Sequence, residues 1–118
     1  MRVKFENSIE VYAQLDTGAA WSVMAPDLAE RIGLSLDEGD PARMLTPLGL
    51  LEGRLVRVPF SFPADEGDHL LIAGTFLISA DWPSGATFLG YSGLLDSIRF
   101  ALDPQANNFY FGLPAESW

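Results

Sequence analysis

Val11-Tyr12-Ala13-Gln14-Leu15-Asp16-Thr17-Gly18-Ala19-Ala20-Trp21-Ser22-Val23-Met24 carries an alternating apolar strand into an acidic turn and sends a second apolar strand out of it. Ile9, Val11, Ala13 and Leu15 fall on one side of a period-two pattern, and Glu10, Tyr12, Gln14 and Asp16 fall on the other. The strand therefore delivers Asp16 at its end and off the core side. Thr17 adds a hydroxyl, and Gly18 supplies either a positive φ or room for another backbone or a ligand to come close. A bare Asp-Thr-Gly is usually an ordinary turn. Here two apolar strands flank it, which makes Asp16 the leading candidate for chemistry.

The chain opens with Met1, Val3 and Phe5 in alternation and a turn at Asn7-Ser8, which predicts a hairpin with the strand above or a pair of short strands. After the acidic turn and its second strand, Pro26 to Gly33 carries the punctuation of a short helix. Proline stands near the first position, acid in the first turn, arginine in the last and glycine at the stop, with Leu28 and Ile32 on the buried face. Between Arg43 and Phe62 the pattern predicts a hairpin. Val56, Val58, Phe60 and Phe62 alternate with Leu55, Arg57, Pro59 and Ser61, and Pro59 points to an edge or to a place where the ladder breaks. The turn residues around Thr46-Pro47-Leu48-Gly49-Leu50-Leu51 place three leucines at an exposed tip, and exposed leucines need a reason. Leu70 to Ile78 reads as a buried strand broken at Gly74. Thr87-Phe88-Leu89-Gly90 reads as a buried strand running to a glycine, followed by a short helix that Ser92 can cap. Ile98, Phe100 and Leu102 then alternate, residues 103–108 turn, and Phe109 to Phe111 is expected to close the sheet.

Composition sets the class. Of 118 residues, 48% are hydrophobic, which suits one compact domain spanning 1–118 with no linker or repeat. A net charge of −9 with only seven Lys and Arg opposes a nucleic-acid partner, and no basic amphipathic face suits a membrane surface. No apolar run approaches the roughly 20 residues of a membrane-spanning helix. Without a visible secretory signal, the expected location is cytoplasmic. The absence of cysteine removes thiol chemistry and cysteine zinc sites, and a single histidine, His69, cannot build a histidine-rich metal site. No metal or cofactor is expected. Asp37-Glu38-Gly39-Asp40 and Asp65-Glu66-Gly67-Asp68 read as solvated turns rather than calcium loops, because neither continues with spaced oxygen ligands. Ser22 lies in no Gly-x-Ser-x-Gly context and is not read as a nucleophile.

Leu15-Asp16-Thr17-Gly18-Ala19, followed by a strand and a short helix, resembles the active-site loop of the retropepsin-like aspartic proteases. Phe88-Leu89-Gly90 resembles the second signature of that family. The resemblance implies a mostly β, single-domain closed barrel with one or two short helices. It implies that Asp16 is catalytic, that Thr17, Gly18 and Ala19 support the loop, and that Thr17 hydrogen-bonds across a dimer beneath the carboxylates. The hairpin tip at Leu48, Gly49, Leu50 and Leu51 would be a flap closing on an extended polypeptide substrate. Because only one Asp-Thr-Gly occurs, a complete site requires a homodimer with Asp16 contributed by each copy. In the family, terminal strands of two subunits interleave, with Phe109-Tyr110-Phe111 available as a partner strand. The sequence leaves this and pairing within one chain equally open. Tyr91-Ser92-Gly93 departs from the acidic or amide residue usual after the second signature; Asp96 and Asp103 read as a helix and a turn residue. The competing readings are a non-catalytic dimerisation or peptide-binding module on the same fold, and an unrelated small barrel with a structural Asp turn.

Overall fold

Strand β2 (Glu10–Leu15) realises the alternation of the acidic segment, with Ala13 buried and Tyr12 80% exposed on the opposite side. The computed structural model describes residues 1–35, 37–47, 49–82 and 85–113. Around β2 stand β1 (Arg2–Phe5), β3 (Ser22–Met24), helix α1 (Pro26–Arg31), β4 (Asp40–Thr46), β5 (Gly49–Phe62), β6 (Leu70–Ile78), β7 (Thr87–Leu89), β8 (Arg99–Asp103) and β9 (Asn108–Gly112). The helix begins at Pro26 with Asp27 in its first turn and Arg31 in its last, and Gly33 follows at φ 84°. Leu28 and Ala29 are its buried residues, and Ile32 packs half-buried just past its end. No helix among the described residues is long and apolar enough to cross a membrane.

The strands run β1-β2-β7-β3-β6-β5, and a further β1–β5 pairing returns β5 to the start, so six strands close a barrel. Closure is made at Phe5↔Phe60 and Lys4↔Ser61, within one chain. Four phenylalanines fill the interior where the ends meet. The Phe5–Phe60, Phe5–Phe76, Phe60–Phe62 and Phe60–Phe76 centroids lie 5.3–6.3 Å apart, mostly edge to face, the arrangement ring quadrupoles favour. Strand β1 thus pairs on both sides within its own chain. Phe109 to Phe111 does not close the sheet. Strands β8 and β9 form a separate two-stranded sheet, held to the barrel by Phe109 and Phe111 against Phe62 at 6.0 and 5.4 Å.

Two other expectations change. Strand β6 is unbroken at Gly74, which pairs with Val58; an added Cβ there would meet Leu94 and Phe60 at 3.0 Å, so the glycine makes room for packing. After Gly90 there is a turn and only a single 3₁₀ turn, Leu95–Ser97, with Leu94 before it and no side-chain cap, so Ser92 caps nothing. Pro59, in contrast, lies where the alternation placed it. The Thr75 N–H points away from β5, toward Gly93, so the pairs Arg57↔Thr75 and Pro59↔Ala73 are the non-hydrogen-bonded ones. On its other flank Pro59 stands one residue before the β1 pairing begins at Phe60. No ladder bond is lost there.

Strand β5 is 14 residues long because it does two jobs. Residues 49–55 pair with β4 as a hairpin that extends beyond the barrel, and residues 54–62 pair with β6. The hairpin base is clamped. The Ser79 hydroxyl donates to Glu52 O at 2.6 Å, the Glu52 N–H donates to Asp81 Oδ2 at 3.2 Å, and a Cβ on Gly53 would fall 2.1 Å from Ile78 O. Met44 and Leu51, directly paired, bury themselves with Val23, Leu77 and Trp82 in a second small core.

Candidate active site

Backbone hydrogen bonds fix the acidic turn from both ends. The Asp16 N–H donates to Leu89 O at 2.9 Å, prolonging the parallel β2–β7 ladder by one step, and the Ala19 N–H donates to Asp16 O at 3.1 Å to close the turn. The Gly18 N–H donates to Asp16 Oδ1 at 3.1 Å, which sets the carboxylate's direction. That bond uses one oxygen; Oδ2 accepts no hydrogen bond from the described residues. Asp16 and Ala19 are half-buried, whereas Thr17 and Gly18 are exposed, and the Thr17 hydroxyl makes no hydrogen bond to the described residues of its own chain. Gly18 does not have a positive φ, so the first of the two reasons for a glycine there does not hold.

The segment 88–92 lies directly against this turn. Tyr91 N–H donates to Ala19 O at 3.0 Å and Ser92 N–H to Ala20 O at 2.8 Å. Leu89 and Gly90 are buried, Phe88 is half-buried against Trp82 at 5.0 Å, and Gly90 passes so near Trp21 that an added Cβ would sit 2.3 Å from that residue's carbonyl. Two segments some 70 residues apart in sequence, Asp16–Gly18 and Phe88–Gly90, therefore form one backbone-locked unit.

Ser22 belongs to this unit as well. Fully buried in β3, its hydroxyl accepts the Gly90 N–H at 2.9 Å. The signal available in the sequence was a serine inside an otherwise apolar strand, and a buried hydroxyl requires a partner. Ser22→Ala removes the acceptor and leaves the Gly90 N–H buried and unsatisfied, so urea unfolding should show a loss of about 1–3 kcal/mol.

The hairpin tip carries fewer exposed leucines than its composition suggested. Leu50 is 50% exposed, but Leu51 is buried in the second core, and Leu48 lies outside the described residues. Strand alternation is the reason: Met44↔Leu51 turns inward and the next pair, Leu45↔Leu50, turns outward, leaving Leu45 81% exposed. Gly49 is at φ 118°, and the Thr46 hydroxyl closes the tip by donating to Gly49 O at 2.8 Å. Four clefts of 470–710 Å³ lie elsewhere on the chain, and Asp16 lines none of them.

The profile of the aspartyl protease family matches residues 1–63, a span that holds Asp16-Thr17-Gly18 and the β4–β5 hairpin. The chain belongs to that family. Among solved structures it is similar to a retropepsin-like aspartic protease from Rickettsia conorii, with a TM-score of 0.61 and 17% identity over 94% of this chain and 86% of that one. Among curated proteins no sequence matches. The likeness in structure establishes the retropepsin-like fold, and with it the closed barrel. The family match ends before Phe88, so the place of the second segment in this aspartyl protease rests on its hydrogen bonds to the Asp16 turn.

Proposed function

We propose that the chain is one half of a homodimeric aspartic endopeptidase, with Asp16 of two copies flanking a water that attacks the peptide carbonyl. The observation that carries this reading is the Asp16 turn itself. It is locked to the 88–92 segment by backbone bonds, yet presents a carboxylate with one oxygen held by Gly18 and the other without a protein donor among the described residues. Water-mediated peptide hydrolysis needs one ionised carboxylate to take the proton from water and one protonated carboxyl to polarise the carbonyl. Sharing one proton between two aspartates is general to aspartic proteases. One chain supplies one such half-buried group, in its one Asp-Thr-Gly, so the pair comes from an isologous contact. Thr17, exposed and making no hydrogen bond to the described residues of its own chain, would bond across that contact. The hairpin tip, with Leu45 and Leu50 turned outward, covers an extended, mainly apolar peptide and excludes water from it.

The test is incubation with a mixed peptide library, read by mass spectrometry alongside sedimentation at several protein concentrations. Specific activity should rise with concentration as dimer forms and then level off. Specific activity that stays constant through dilution into monomer refutes a two-chain site. Binding without cleavage leaves a peptide-binding module instead. The pH profile should be bell-shaped. At low pH both carboxyls hold protons and no base remains; at high pH both are ionised and no acid remains. A profile flat over several pH units is incompatible with the shared proton.

A further inference from the structure

Arg57 projects from the outer face of β5 and reaches across β6. Its Nη2 donates to Ala73 O at 3.0 Å, and its Nη1 donates both to Thr75 Oγ1 at 3.0 Å and to Gly93 O at 3.1 Å. The Ala73 carbonyl and the Thr75 N–H point away from β5, and β3 pairs with β6 only from Phe76 onward, so none of the described strands satisfies them; Arg57 meets the carbonyl. Gly93 fills part of that gap: its carbonyl also accepts the Thr75 N–H at 2.9 Å. The approach is close enough to require glycine, since φ is +74° and a Cβ would lie 2.6 Å from Thr75 Oγ1. Immediately before Gly93 stand Tyr91 and Ser92, whose N–H groups bond to Ala19 and Ala20 of the acidic turn.

We infer that Arg57 is a positioning residue for the Asp16 turn, acting through the Gly93 carbonyl, which it and Thr75 hold together. Its catalytic consequence rests on the proposed peptidase reading; its structural part does not. The chain of contacts is continuous: guanidinium to Gly93, Gly93 to Tyr91 and Ser92, these to Ala19 and Ala20, and Ala19 to Asp16 O. It anchors the 91–95 turn where the sequence has Tyr91-Ser92-Gly93 and no side-chain cap. A guanidinium suits the task because its planar fork aims several donors at once, which an ammonium does not.

The decisive measurement is amide hydrogen exchange on the full chain, wild type against Arg57→Met and Arg57→Lys, with steady-state kinetics on a peptide that the wild type cleaves. In Arg57→Met, exchange at Thr75, Tyr91 and Ser92 should quicken about tenfold or more while β1 and β2 amides keep their protection, the signature of a local opening. A turn displaced by a fraction of an ångström should lower kcat about 10- to 100-fold with KM changed less than about threefold. Arg57→Lys should recover part of both effects. Unchanged protection at Tyr91 and Ser92, or equal loss throughout the barrel, overturns the inference. If Arg57→Met fails to fold, Arg57→Lys, which keeps the charge and loses the planar fork, is read against the wild type at the same amides with the same criteria. If the wild type cleaves no peptide, the peptidase reading fails while the exchange result still decides the role of Arg57.

Discussion

Asp16→Asn is expected to end the proposed peptide cleavage, by on the order of 10²–10⁴-fold or more, while leaving the fold and the proposed dimer in place. The substitution is conservative where structure is concerned. The amide oxygen of asparagine accepts the Gly18 N–H as Oδ1 does, and the Asp16 N–H and C=O bonds to Leu89 and Ala19 are backbone bonds that the change does not touch. It is severe where chemistry is concerned, because an amide neither takes a proton from water nor shares one. Two carboxylates brought together repel when both are ionised, so the variant dimer should be at least as tight as the wild type near neutral pH. A mixing experiment separates a shared site from one that a single chain completes. With subunits exchanged freely at equal concentrations, about a quarter of the dimers carry both aspartates under an isologous interface, and activity per wild-type chain should fall to about half. Undiminished activity per wild-type chain would show that each Asp16 works alone. Retained cleavage by the pure variant would remove Asp16 from the mechanism.

What the sequence made legible was local. The alternation that became β2, the Pro26, Asp27 and Arg31 punctuation of α1, and the inward set Val56, Val58, Phe60 and Phe62 each lie within a few residues and obey one period. The Asp16 turn was legible for a different reason, as a residue pattern between two apolar strands. Apart from the Ser92 cap, the relations that had to be corrected are non-local. Whether Phe109 to Phe111 or β1 closes the barrel depends on which edge finds β5, and the answer, Phe5↔Phe60, joins positions 55 apart that no period connects. The leucines of the hairpin tip were read by composition, but the β4–β5 register alone decides that Leu51 turns in and Leu50 out. Gly74 looked like a break because glycine in a strand often is one; here the space goes to Leu94 from a distant loop. The site shows the same division. Ser22 and Arg57 support the turn by contacts spanning 68 and 36 residues, so a local pattern could flag the buried hydroxyl of Ser22 but could name neither residue's partner.

The two signature glycines, alike on the page, should part company when each is changed to alanine. At Gly90 the new Cβ would lie 2.3 Å from the carbonyl carbon and oxygen of Trp21 and 2.8 Å from the Ser22 nitrogen. These are backbone atoms in the lock between the two segments, and they have no rotamer by which to yield. The cost should be about 3 kcal/mol or more, a large share of the roughly 5–15 kcal/mol that holds a domain of this size. A fall of about 10 °C or more in Tm is therefore expected, with loss of activity following from loss of fold. At Gly18 the Cβ would meet, among the described residues, only Asp16 Oδ1, at an ordinary 3.4 Å, and φ is not positive. Nothing among the described residues of one chain demands a glycine there, so Gly18→Ala should leave the monomer's stability within about 0.5 kcal/mol. In the proposed dimer, what needs the space is the opposing copy or the bound peptide. Gly18→Ala should then weaken self-association, or raise KM, with Tm nearly unchanged under conditions where the protein is monomeric. An equal fall in Tm for both variants would mean that Gly18 serves the barrel and not a second chain.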